Sequence, residues 1–162
     1  MDAKLKEALN EQVKNELYSA YLYLSMAAYC DGKNLPGFAH WLKVQAKEEV
    51  GHAMKIFDFI VDVGEQVILK AIDQPPTDFS SPTEVFEKTL EHEKKVTSMI
   101  NNLVKLAKQA DDNPTLFMLQ WFVNEQVEEE KNAAYILETL KTIKEAGPAL
   151  IMLDKELGKR EG

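Results

Sequence analysis

The sequence predicts an all-α protein: a four-helix bundle with one long crossover and a short fifth helix at the C-terminus. Three observations point there. The 162 residues include only 7 glycines and 6 prolines, and these gather at a few breaks. Between the breaks lie stretches of roughly 25–30 residues, far beyond the ~11–12 of an average helix. Each stretch carries apolar residues at alternating steps of three and four, the spacing of one helical face.

The elements follow from the breaks. Helix α1 is expected over residues 3–31, ending at the turn Asp31-Gly32-Lys33-Asn34-Leu35-Pro36-Gly37. Helix α2 follows over 36–63. Gly64, Pro75, Pro76 and Pro82 then mark a connection of about 18 residues, too long for a compact domain unless it has a purpose. Helix α3, over 82–110, opens on Ser81-Pro82-Thr83-Glu84, a capping box with proline at the first helical position. Asn113-Pro114 repeats the cap-plus-proline signal for α4, over 114–145. Gly147-Pro148 precedes α5, over 148–158.

Short connections make α1–α2 and α3–α4 antiparallel hairpins. A helix of ~28 residues is ~42 Å long, and an extended 18-residue segment reaches up to ~60 Å. The connection can therefore return along the whole bundle, leaving α3 parallel to α2. One domain over residues 1–162 is expected.

Composition excludes several classes. The net charge of −8 argues against nucleic acid as a partner. No stretch approaches the ~18 apolar residues of a transmembrane helix, so no membrane role is expected. The opening MDAKLKEALNEQ reads as an amphipathic helix rather than a signal peptide. One cysteine, Cys30, leaves no internal disulfide and no cysteine-based cluster. A reducing, cytoplasmic setting is expected.

The helical faces carry an anomaly. The inward stripe of α2 reads Phe38, Leu42, Gln45, Glu49, His52, Ile56, Phe59, Val63. In α1 it reads Leu9, Val13, Glu16, Ala20, Tyr23, Ala27, Cys30. In α3 it reads Phe86, Leu90, Glu93, Val96, Ile100, Leu103, Ala107. In α4 it reads Leu119, Phe122, Gln126, Glu129, Ala133, Ile136, Leu140, Ile143. Each face is apolar except near its middle, where a carboxylate stands. Glu16 and Glu49 lie ~22 and ~20 Å from the α1–α2 turn, and Glu93 and Glu129 lie ~26 and ~23 Å from the α3–α4 turn. With α3 parallel to α2, all four meet at one height.

Four converging carboxylates repel one another, and several would protonate without a cation. Their charge matches two divalent metals, with His52 supplying a nitrogen. Such a set suits iron or manganese better than thiolate-seeking metals. Di-iron bundles take a Glu from each of two helices and Glu-x-x-His from each of the others. Here α2 has Glu49-Val50-Gly51-His52, whereas α4 has Gln126-Val127-Glu128-Glu129. Gln126 can hold a water or substrate oxygen, or bind metal weakly. Gln45 reads as a hydrogen bonder rather than a ligand. Tyr23 reads equally as core or as functional, its hydroxyl needing Glu93 or Gln126 as partner. His40 and His92 fall off the stripes and are expected at the surface.

With these residues in place, the chain over about residues 3–160 resembles the ferritins, most of all the bacterial non-haem ferritins. The stretches that carry the resemblance are LNEQVKNELYSAYLY, AKEEVGHAMKIFDFI, EHEKKVTSMIN, FMLQWFVNEQVEEEK and LIMLDKEL. The resemblance implies iron storage by a ferroxidase: Fe(II) is oxidised by dioxygen, or by peroxide, at a di-iron centre, and the ferric mineral is kept in a 24-subunit homo-oligomeric cage. Carried over by position, one iron would be held by Glu16, Glu49 and His52. The other would be held by Glu49 as bridge, Glu93 and Glu129, with Gln126 nearby. A third iron site would map to Glu48, Glu125, Glu128 and Glu129. Tyr23 matches the family's tyrosine beside the centre, an electron donor.

Two departures bear on related families. Bacterioferritins bind haem through a methionine inside Glu-x-x-His, and Val50 stands there, so no haem is expected. Rubrerythrins add a cysteine-rich iron domain, which one cysteine cannot build. The missing second histidine suggests a looser second iron position and metal that moves onward. Helix α5 presents Ala149, Leu150, Ile151, Leu153 and Leu157. A helix this short is marginal alone, and its apolar strip is expected to bury against other copies rather than on its own bundle. The competing readings are a di-iron oxidase or peroxidase that stores nothing, and a bundle whose metal is structural.

Overall fold

The computed structural model describes residues 1–162. Its elements are α1 (Ala3–Gly32), α2 (Pro36–Asp62), α3 (Pro82–Gln109), α4 (Asn113–Ile143) and α5 (Gly147–Leu157), with no strand. Every expected helix is present, with ends displaced by a residue or two.

The helix starts show how local chemistry sets these ends. Asp2 caps α1, its carboxylate accepting the Leu5 N–H at 3.1 Å. Ser81 caps α3, its hydroxyl accepting the Glu84 N–H at 3.1 Å. Glu84 turns to the Ser80 hydroxyl instead, so half of the expected capping box forms. The cap of α4 is Asp112 rather than Asn113: Asp112 Oδ1 accepts the Thr115 N–H at 3.1 Å. Helix α2 has no local side-chain cap. Asp154, buried in α5, accepts the Phe38 N–H at 2.9 Å and caps α2 from a distance.

The crossover settles the topology. Near its start, the Ile68 N–H donates to Asn10 Oδ1 at 2.7 Å, and Asn10 Nδ2 donates to the Gln66 carbonyl at 3.3 Å. Further on, the Ser25 hydroxyl donates to the Pro76 carbonyl. Phe79 is buried edge-on against Tyr29, their ring centroids 5.6 Å apart. The segment thus climbs α1 from its first turns to its last, and α3 begins at the end where α2 began. The parallel α2–α3 arrangement expected from the connection length is the one observed.

Apolar burial then divides in two. One cluster includes Tyr23, Met26, Phe38, Leu42, Phe86, Ile136 and Leu140. The other includes Leu5, Leu9, Ile56, Ile100, Leu103, Leu119 and Phe122. A belt of polar side chains separates them. Each belt position forgoes the ~1.5–3 kcal/mol that a buried apolar side chain contributes, so the sequence gives up stability there. Helix α5 corrects an expectation. Leu157 is buried on the chain's own bundle, and Leu150 and Leu153 pack beside it. Ile151 and Met152 remain exposed. No helix is long and apolar enough to cross a membrane.

Candidate metal centre

The belt gathers the residues that the helical stripes single out. Glu16 from α1, Glu49 and His52 from α2, Glu93 from α3, and Gln126 and Glu129 from α4 are all buried, none more than 6 % exposed. Ligand atoms of Glu16, Glu49 and His52 lie within 4.8 Å of one another, as do those of Glu49, Glu93 and Glu129. Glu49 belongs to both groups, the position of a bridging carboxylate.

Neighbouring side chains orient these carboxylates. Gln12 Nε2 donates to Glu16 Oε1 at 3.1 Å. Gln45 Nε2 donates to Glu49 Oε1 at 3.1 Å and to Glu129 Oε2 at 2.6 Å. The Tyr23 hydroxyl donates to Glu93 Oε1. Gln126 Nε2 donates to Glu93 Oε2 and to the Thr97 hydroxyl, both at 3.2 Å. The Gln126 amide nitrogen therefore faces Glu93. His52 Nδ1 lies 3.2 Å from Glu49 Oε2 and 4.0 Å from Glu16 Oε2. Glu16 Oε2 itself has no hydrogen-bond partner.

Burial dominates the electrostatics. It pushes the Glu16 carboxyl well above the usual range, with Glu49 adding to the rise. Glu49 is raised by burial and then by Glu93. Glu93 is raised by burial, against the lowering effect of its bonds from Tyr23 and Gln126. Glu129 is pushed up to about 8 by burial and then by Glu93. The Tyr23 hydroxyl is likewise held well above its ordinary value by burial and by Glu93. Raised in this way, these carboxyl groups hold protons more readily than free glutamates wherever no cation balances their charge. An orphaned oxygen, an imidazole and four acidic groups, with Glu49 common to both sets, fit two oxygen-seeking cations.

The third group of acidic residues is looser. Glu125, Glu129 and His52 place ligand atoms within 4.8 Å of one another, with His52 Nε2 3.9 Å from Glu125 Oε1. Glu48 lines the adjoining surface opening with His52, Trp121 and Glu125, but it is paired with Arg160. Glu128 is exposed and joins none of these groups.

Sequence reasoning placed both off-stripe histidines wrongly. His92 is half-buried, its Nε2 2.7 Å from the Ser19 hydroxyl and its ring edge-on to Tyr23 at 6.0 Å. Burial holds its pKa down at about 4. His40 Nε2 donates to the Arg160 carbonyl at 2.6 Å. Gln12 was missed, although a signal was present: it precedes Glu16 by one helical turn, as Gln45 precedes Glu49. Thr97 and Glu130, joined at 2.6 Å behind Gln126, were also missed. Nothing in their spacing marks them.

Comparison with known proteins identifies the family. The family model described as ferritin-like domain matches residues 6–143. A bacterial non-heme ferritin of Bacteroides fragilis is 41% identical over 157 residues, 97% of this chain and 98% of its own length. That of Staphylococcus aureus is 41% identical over 160 residues, 99% and 96% of the two chains. Among solved structures, an open-pore ferritin from the hyperthermophilic archaeon Archaeoglobus fulgidus superposes with a TM-score of 0.98 at 50% identity, covering 99% of both chains. Matches of that extent, on a bundle with this belt, place the chain in the ferritin family, a family of iron storage and Fe(II) oxidation.

Proposed function

We propose that this chain oxidises Fe(II) with dioxygen at a di-iron centre and stores the ferric product inside a cage of its own copies, 24 in number, in the cytoplasm. The observation that carries the reading is the belt of four buried carboxylates meeting one histidine, with Glu49 shared between two ligand groups. One Fe(II) would take Glu16, Glu49 and His52. The other would take Glu49, Glu93 and Glu129. Gln126 holds Glu93 in place, and a shared Glu49 would suit two ions at the ~3.5–4 Å common to two-metal sites.

The protein's part is binding, charge and geometry. Entering cations displace the carboxyl protons. Oxygen ligands favour Fe(III) over Fe(II), so the donor set itself helps to drive oxidation. Each Fe(II) gives one electron to a shared dioxygen, which takes two electrons and two protons to become hydrogen peroxide. Tyr23, bonded to Glu93, stands beside the centre as the second electron source where only one Fe(II) is bound, its hydroxyl losing a proton with the electron. Glu125 and Glu48 then offer oxygen ligands on the way to the surface opening, and Glu128 a further carboxylate beyond it.

Assembly draws support from the surface. Tyr21, Leu24 and Ile72 are exposed large apolar residues that line one groove between α1 and the crossover. Clustered exposure of this kind marks contact surfaces.

The test is to load anaerobic apo-protein stepwise with Fe(II), admit air, and follow ferric formation. A fast phase saturating at two to three irons per chain, lost in Glu49→Ala, supports the centre. Continued slow uptake in a soluble particle supports storage. A fast phase without further uptake favours a non-storing di-iron oxidase, and oxidation no faster than in buffer defeats the reading.

A further inference from the structure

Arg160, two residues before the last, makes contacts unlike those of an ordinary surface arginine. Its guanidinium stacks over the Trp41 ring, 4.3 Å from the centroid. Its Nη1 donates to the Trp41 carbonyl at 3.1 Å. Its Nη2 is shared between Gln45 Oε1 and Glu48 Oε2, both at 2.9 Å. The backbone is pinned as well, because the Arg160 carbonyl accepts from His40. A guanidinium held on a ring face and by hydrogen bonds to the Trp41 carbonyl and Gln45 loses little further freedom in pairing with Glu48.

The amide of Gln45 extends this contact inward. Arginine can only donate, so the Gln45 oxygen must face it. The amide nitrogen is thereby turned to Glu49 and Glu129, to which it donates. One side chain thus separates Arg160 from two carboxylates of the centre. Glu48 faces outward from the same turn, lining the opening beside His52 and Glu125. A cation that leaves the centre for Glu125 and Glu48 meets a positive charge already seated on Glu48.

We propose that Arg160 is a tethered counter-cation: it holds Glu48 until a third metal cation displaces it, and so sets the affinity of that outer position. The proposal rests on the reading of Glu48 and Glu125 as ligands of a third cation. An unrestrained pair this exposed would contribute little. The stacking and the shared Nη2 are what make the competition effective. Arg160 is a positioning residue, acting on the third cation through Glu48 and touching none of the reacting atoms.

The experiment titrates the full-length apo-protein with Zn2+ alone, by calorimetry, in the wild type, Arg160→Gln and Arg160→Lys. Circular dichroism checks that each variant is folded. Arg160→Gln is expected to bind a third Zn2+ about tenfold more tightly, a gap that narrows as salt is raised. The first two Zn2+ should be unaffected. Arg160→Lys keeps the charge without the fork and should fall between the two. In a Glu48→Gln background, Arg160→Gln should change nothing. Equal or weaker third-cation affinity in Arg160→Gln overturns the proposal. So does a third cation missing from every variant, and if two Zn2+ still bind in that case the di-iron reading stands. Loss of those two as well defeats both.

Discussion

Glu16 Oε2 is buried with no hydrogen-bond partner, and it lies 4.0 Å from Nδ1 of His52. Its sister oxygen is satisfied by Gln12. A buried carboxylate oxygen left bare is costly. Here it sits where a cation would be shared with an imidazole. The bundle tolerates the defect without metal and would repair it on binding one.

That relationship predicts how metal stabilises the fold. Zn2+ at a hundred times its dissociation constant should add about 2.7 kcal/mol per site to the wild type. Glu16→Gln should lose roughly one site's share. The same change should raise the thermal midpoint of the metal-free protein slightly at pH 8, because it removes a buried acid that Glu49 repels. Thermal melts with and without Zn2+ check both halves. A variant that gains as much from Zn2+ as the wild type would show that Glu16 is no ligand.

Tyr23→Phe separates structure from electron supply. The ring is fully buried among apolar neighbours, and phenylalanine fills nearly the same space. The hydroxyl's bond to Glu93 is lost, at about 1 kcal/mol or a little more. Zn2+ stoichiometry should be unchanged, while ferric formation after admission of air should slow several-fold. Stopped-flow absorbance measures it, and an unaltered rate would reduce Tyr23 to packing.

The four helices, the crossover and the carboxylate belt were legible in the sequence because each rests on spacing. A glutamate at a fixed depth on an apolar face needs no tertiary knowledge to be noticed. What escaped was set by contacts between distant segments. Asp154 capping α2 joins residues more than a hundred positions apart. The docking of α5 depends on that same contact, so its apolar strip was assigned to other copies. His92 falls off the stripe, yet Ser19 and two tyrosines of α1 enclose it. Helical periodicity describes the face of one helix and says nothing of a neighbour leaning over its edge.

The α2–α5 contact should be fragile to a single methyl group. A Cβ on Gly37 would stand 1.6 Å from the Asp154 carbonyl oxygen, which no side-chain rotation relieves. Gly37→Ala should push α5 away and strip α2 of its remote cap, costing about 2–3 kcal/mol. Asp154→Ala should cost about 1–2 kcal/mol, through the unpaired Phe38 N–H alone. Trypsin should then cut faster at Lys155 and Lys159 in Gly37→Ala than in the wild type. Equal melting and equal cutting in Gly37→Ala would mean that α5 does not hold this position.

The belt also sets a pH dependence whose sign depends on metal. In the unfolded chain the glutamates return to about 4.3. In the folded, metal-free protein Glu129 is raised to about 8, and Glu16, Glu49 and Glu93 are raised too. The folded state therefore binds more protons than the unfolded state between these limits. Their stabilising contribution is complete below about pH 4 and is lost as pH rises through the folded values. The metal-free midpoint should fall steadily from about pH 5 to pH 8, and Glu129→Gln should flatten the upper part of that fall. With saturating Zn2+ the slope should reverse, since cations replace the protons and bind better as they leave. Melting curves across this range, with chelator or with Zn2+, decide the matter. A metal-free midpoint that holds level or climbs would show that the four carboxylates do not share one buried charge problem.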